Sequence, residues 1–119
     1  MQAATKVSQR TVNGASGDSV AILAFTGDIA STSKDAILKA YHGLAPEVHK
    51  VLLDFSGADY INSSGIAIII QLLLEAHKTA ERTLGIFGLT PHFTKVFTMV
   101  GVAKYASMLP DEAGALAKL

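Results

Sequence analysis

The run Val51-Leu52-Leu53-Asp54-Phe55-Ser56-Gly57-Ala58-Asp59-Tyr60-Ile61-Asn62-Ser63-Ser64-Gly65-Ile66 leads from an apolar strand, through a short turn, into a long apolar helix. Val51 to Phe55 has the unbroken apolar character of a strand buried on both faces. Asp54 is placed to end it by accepting from turn N–H groups, and Asp59 sits in the turn itself. Asn62, Ser63, Ser64 and Gly65 then open a helix expected over Ser64 to Ala80. Ile66-Ala67-Ile68-Ile69-Ile70 has strand-like composition. Yet no Gly or Pro interrupts the chain from Ile66 to Thr83, and strands usually run about 4–8 residues. Ser64 falls where backbone N–H groups lack intrahelical acceptors and the macrodipole favours negative charge. That is a seat for a phosphate. No base, metal cluster or nucleophile partner stands near it in sequence, which suits a switch better than a catalyst. The same turn also reads as a plain helix cap, because Asn and Ser are favoured there and Gly keeps the first turn slim.

The helix carries apolar residues on two sides. Ile66, Ile69, Ile70, Leu73 and His77 share one face, expected to lie on a sheet. Ser64, Ile68, Leu72 and Glu75 lie roughly opposite, at i, i+4, i+8 and i+11. An exposed apolar strip of Ile68 and Leu72 beside Ser64 would mark a partner site. The other possibility is a helix buried on both sides.

Outward from this run, strands alternate with helices. Lys6 to Val12 is a weak strand. Asn13-Gly14 and Ser16-Gly17-Asp18 supply turn chemistry, which predicts a hairpin. Val20 to Phe25 reads as a central strand, ended by Gly27-Asp28. Thr32 and Asp35 have capping-box spacing for the next helix. Ile37, Ala40, Tyr41 and Leu44 form its apolar stripe, and Gly43 and Pro46 mark its end. Leu84 to Leu89 is a further strand. Thr90 as N-cap and Pro91 in the first turn open a helix with Phe93, Val96, Phe97 and Val100 on one face, stopped by Gly101. Tyr105 to Leu109 is the last strand, and Pro110-Asp111-Glu112 starts the last helix with acids at the favoured end. The pattern implies βαβ crossovers, hence an α/β fold: a mixed sheet of about five strands with about four helices over it.

The chain has 119 residues, and half are hydrophobic. Residues 1–119 are expected to form one domain with a core that needs no staples. Net charge is zero and the ten basic residues are scattered, which argues against nucleic acid and against polybasic attachment to membranes. The absence of cysteine excludes disulfides and thiolate chemistry. The N-terminal residues Met1 to Lys6 lack signal-peptide order. The longest apolar run, Ile66 to Leu74, is broken by Gln71 and falls short of the roughly 20 residues a membrane span needs. A cytoplasmic protein is expected.

Catalytic motifs are missing around the acids and serines. Neither Ser63 nor Ser64 fits a Gly-x-Ser-x-Gly elbow, and no phosphate-binding loop with Lys-Ser/Thr occurs. Gly85-Ile86-Phe87-Gly88 reads as a strand with glycines. His42, His49, His77 and His92 lack ligand spacing, so neither a metal nor a cofactor is expected. Asn62-Ser63-Ser64 matches a glycosylation tripeptide by chance. Asp28, Asp54 and Asp59 lie near strand ends, but no base partner accompanies them. An enzyme is not expected.

Three blocks resemble the anti-anti-sigma factors, proteins made of one STAS domain. Phe25-Thr26-Gly27-Asp28-Ile29 is similar to the family's strand-end Gly-acid-Leu element. Leu53 to Ile66 resembles its signature, an aspartate after an apolar strand followed by Asp-Ser-Ser/Thr-Gly. Leu89-Thr90-Pro91 through Val96-Phe97 and Val100-Gly101-Val102 to Pro110-Asp111-Glu112-Ala113 resembles its C-terminal helix, strand and closing helix. The resemblance implies a STAS fold and a partner switch. A GHKL-type anti-sigma kinase would phosphorylate Ser64, the unphosphorylated form would bind that kinase and free a sigma factor, and a phosphatase would restore it. Asn62, Ser63 and Gly65 would shape the turn, and Ile68 and Leu72 with Asp28 would dock the partner. Two positions depart from the pattern. Asn62 stands where the family has Asp, and Ala30 stands where it often has another. Such losses also occur in STAS domains that work without phosphorylation, as modules of lipid or anion transporters or of signalling scaffolds.

Overall fold

The computed structural model describes residues 5–14, 16–79 and 82–119, Thr79 through its backbone alone. Strand β1 (Lys6–Asn13) is followed by β2 (Ser19–Ile29). The Gly14 N–H donates to the Asp18 carbonyl at 2.7 Å, which closes the expected hairpin. A 3-10 turn (Ser31–Ser33) leads to α1 (Lys34–His42), then β3 (Lys50–Ile61), α2 (Ser63–Thr79), β4 (Thr83–Phe87) and α3 (Pro91–Met99). A second 3-10 turn (Val102–Lys104), β5 (Ala106–Leu109) and α4 (Glu112–Lys118) complete the chain. The strands form one sheet in the order β1-β2-β3-β4-β5. β1 is antiparallel to β2, and the other pairs are parallel. This is the mixed five-stranded sheet and four helices that the alternation implied.

Sequential parallel strands joined by right-handed crossovers put their helices on one face. Accordingly α1, α2 and α3 share one core with Ala21, Leu23, Phe25, Val51, Leu53 and Phe55. The intervening side chains point the other way. Val20, Ile22, Leu52 and Phe87 meet Ala115 of α4 there.

β2 runs on through Gly27-Asp28 to Ile29 rather than ending there. Three further expectations change, in β3, α1 and α2. The first concerns β3, which does not end at Phe55. Asp54 accepts from the Ser56 N–H at 2.9 Å and from its hydroxyl at 2.6 Å, yet pairing with β2 resumes beyond. Ala24 opposes Asp54 but Thr26 opposes Gly57, and Gly27 opposes Ala58 but Asp28 opposes Tyr60. β3 therefore holds an extra residue twice, and these bulges re-aim the strand beside the site. The second concerns α1, whose N-cap is Ser33 rather than Thr32. The third concerns the phase of α2. Ile68 and Leu72 are buried, at 6% and 0% exposure, together with Ile69, Leu73 and Ala76. They are core, and no exposed strip of Ile68 and Leu72 exists. Ile66 and Ile70 are half-buried and His77 is exposed. Apolar residues at 66, 68, 69 and 70 leave the helical phase undefined locally. Gly65 sets it by facing inward against β2. The expected end of α2 at Ala80 lies outside the described residues. On α3, Val100 is 47% exposed and Phe97 is buried, so the apolar face is narrower than the spacing suggested.

Candidate functional site

The carboxyl ends of β2 and β3 bring Asp28 together with Asn62, Ser63, Ser64 and Gly65. Ile29 pairs with Ile61, and the next residue along β3 is Asn62, the N-cap of α2. Its Oδ1 accepts from the Gly65 N–H at 2.8 Å, and its carbonyl accepts from the Ile66 N–H at 2.9 Å. Its own N–H donates to the Ile29 carbonyl at 3.1 Å. Asn62 thus closes the helix end locally and ties it to β2. Gly65 is required by packing: a Cβ there would lie 2.3 Å from the Ile29 oxygen. No real Cβ approaches an oxygen so closely.

Ser63 and Ser64 occupy the first two helical positions, and both are exposed. Their N–H groups belong to the set without intrahelical acceptors. A charge on the Ser64 oxygen would meet the positive end of a 17-residue helix. Asp28 is half-buried, and its carbonyl accepts from the Thr5 hydroxyl. Tyr60 is 55% exposed, with its ring edge-on to Phe93 at 5.9 Å between centroids.

Ile68 and Leu72 do not join this surface. The exposed ridge that continues from Ser64 is Ala67, Gln71 and Leu74, at i+3, i+7 and i+10. Beside it a groove between α1 and α2 is floored by Leu38 and Ile70. His42 Nε2 meets Glu75 Oε1 at 2.7 Å across its far end. The ridge was hidden in the sequence because Ala67 and Gln71 carry no apolar signal. Ser33 and Thr5 were also missed, since their partners lie in other elements. Among the described residues no group of three His, Cys, Asp or Glu side chains could hold a metal ion. No helix among them is long and apolar enough to cross a membrane.

The family profile described as "Mlab, STAS domain" matches residues 13–110. The chain belongs to the STAS domain family. The solved STAS-like structures extend the likeness in fold. An anti-sigma factor antagonist from Mycobacterium paratuberculosis superposes with a TM-score of 0.77 at 17% identity, over 97% of this chain and 93% of that one. The Bacillus cell fate determinant SpoIIAA in its phosphorylated form gives 0.60 at 17% identity, over 92% and 96%. The murine anion transporter Slc26a9 gives 0.66 at 17% identity, over 83% of this chain and 18% of the transporter. No curated protein matches the chain. At these identities the structures establish the STAS fold, and the role of this STAS domain has to be argued from its own residues.

Proposed function

We propose that this STAS domain is an anti-anti-sigma factor of the cytoplasm, switched by phosphorylation of Ser64. The carrying observation is an exposed serine hydroxyl at the second position of α2, in a turn that Asn62 caps and Gly65 seats against Ile29. The domain contributes the acceptor oxygen alone. A serine kinase of the anti-sigma type brings Mg-ATP. The Ser64 oxygen takes the terminal phosphoryl group, ADP leaves, and the hydroxyl proton passes to a base of the kinase. A phosphatase hydrolyses the ester to serine and inorganic phosphate.

A phosphoserine carries roughly −1.5 to −2 charges. At a helix N-terminus that charge agrees in sign with the dipole, so it leaves the fold intact. It acts on the partner instead. The partner's contact would cover Ser64 together with Ala67, Gln71 and Leu74, and a phosphate buried there loses hydration it cannot regain.

Pull-down from the native cell, followed by phosphorylation with the recovered kinase and peptide mapping, tests the reading. One phosphate is expected, at Ser64, and none on Ser64→Ala. Ser64→Asp should keep its melting temperature and lose at least about tenfold in binding. Leu74→Lys should fold and fail to bind. A phosphate mapped to Ser63, or equal binding by Ser64→Asp, overturns it. The second reading is a phosphorylation-independent interaction module of a transporter or scaffold. Asn62 in place of the family's Asp and the likeness to a segment of an anion transporter support that reading. Recovery of a transporter subunit by both Ser64 variants alike would establish it.

A further inference from the structure

Ser33 is a buried polar side chain, at 2% exposure. Its hydroxyl does not cap α1. It accepts from the Ala30 N–H at 2.9 Å and contacts the Thr5 hydroxyl. Thr5 in turn donates to the Asp28 carbonyl. The Ser33 oxygen lies 3.4 Å from that same carbonyl, at the long limit for a hydrogen bond. Ala30 N–H donates to Ser33, and Thr5 O–H donates to the Asp28 carbonyl. Ser33 O–H donates either to Thr5 or to that same carbonyl. Such a chain of hydrogen bonds strengthens its members.

The chain acts on one peptide plane. The Ala30 N–H and the Ile29 carbonyl are opposite ends of the same rigid unit. Ser33 holds the N–H end. The carbonyl end accepts from Asn62 at 3.1 Å and forms the wall against which Gly65 packs. Rotating that plane would break the Asn62 bond and drive the oxygen into or away from Gly65. We propose that Ser33 and Thr5 are positioning residues for the Ser64 turn, acting through the Ile29–Ala30 peptide plane. Thr5, ahead of β1, then bears on the Ser64 turn through this peptide plane. The consequence for phosphorylation rests on the function proposed above; the mechanical link does not.

Amide exchange followed by NMR tests the link without any partner. In Ser33→Ala the Asn62 amide should exchange about tenfold faster than in wild type, and the Gly65 amide should follow, because a buried hydrogen bond is lost. The Ile86 amide in β4 should stay unchanged. Thr5→Val should give a smaller acceleration, about threefold, since Ser33 can turn directly to the Asp28 carbonyl. Thr5→Ser keeps the hydroxyl and should restore wild-type exchange. If Ser33→Ala does not fold, the Thr5 pair decides the matter. Unchanged Asn62 exchange in Thr5→Val, or equal acceleration at Asn62 and Ile86, overturns the proposal. Phosphorylation then separates the two ideas. A slower rate in Thr5→Val with rescue by Thr5→Ser supports both. Wild-type protein that no kinase modifies sinks the phosphoswitch and leaves the exchange result standing.

Discussion

Helices α2 and α4 begin with the same local formula and obey different masters. Asn62-Ser63-Ser64-Gly65 and Asp111-Glu112-Ala113-Gly114 each place an Asx side chain at the N-cap and a glycine three residues on. Each cap oxygen accepts from that glycine's N–H at 2.8 Å. The glycines differ in what surrounds them. A Cβ at Gly114 would meet a movable carboxylate oxygen of its own cap at 3.2 Å, whereas at Gly65 it would strike a backbone carbonyl of β2 at 2.3 Å. One glycine is a local convenience. The other is where two elements touch. The α2 start is therefore seated against β2, while α4 is a short closing helix that packs on the sheet through Ala115.

Charge in the helix body should separate the two most sharply. Leu72 is fully buried, so Leu72→Lys strands an ammonium in the core and should remove about 5 kcal/mol, enough to abolish a cooperative thermal transition. Leu116 on α4 is half-buried. Its replacement by Lys can reach water and should cost about 1 kcal/mol. Circular-dichroism melts of both proteins provide the check, and equal losses would dissolve the distinction.

The glycines come next. Gly65→Ala should cost about 3 kcal/mol, because neither the helix backbone nor the Ile29 carbonyl can give way cheaply. Gly114→Ala should be neutral or stabilising by up to about 1 kcal/mol, through helix propensity. Urea titrations with a common slope would measure both. A tolerated alanine at position 65 would mean that α2 can slide on the sheet.

The caps should differ less. Asn62→Asp gives α2 the acidic cap that α4 already has. Stability should change by no more than about 1 kcal/mol. A recovered kinase should modify Ser64 faster if the missing carboxylate matters, and an unchanged rate would show the asparagine to be neutral.

Acid should produce the smallest effect, at the start of α4. Arg10 reaches across from β1 to Glu112 in the first turn of α4. The hydrogen bond from Arg10, with its charge, holds the Glu112 carboxyl below its ordinary range. A lowered folded-state pKa contributes stability above the unfolded value, and this is lost as pH falls through the folded one. At a partly exposed pair the contribution is at most about 1 kcal/mol. Amides of α4 should therefore lose protection in acid before those of α2, and Arg10→Ala should remove that pH dependence.

Much of this was legible in the chain. Thr90 and Asn62 announced two helix starts, because a cap bonds within its own turn and its chemistry is complete in four residues, and the acids Asp111 and Glu112 marked a third by their place at the positive end. Alternating apolar runs and turn residues announced the order of strands and helices, since burial on one face imposes its period on sequence. The same locality explains the errors. Ser56-Gly57-Ala58-Asp59 has turn chemistry, yet it remains strand because β2 supplies the partners. Ser33 is one hydroxyl among three in Ser31-Thr32-Ser33, and only its contacts with Thr5 and Ala30 single it out.

The sequence by itself determined which residues could start, stop and fill each element, and it placed a serine at the positive end of a long helix. The tertiary structure decided which way that helix faces. With isoleucine at positions 66, 68, 69 and 70, every rotation buries apolar surface, and burial is not directional. Steric contact is. Gly65 alone lets α2 rest on the Ile29 carbonyl, and that contact turns Ile68 and Leu72 into the core. It leaves Ser64, Ala67, Gln71 and Leu74 to meet the outside.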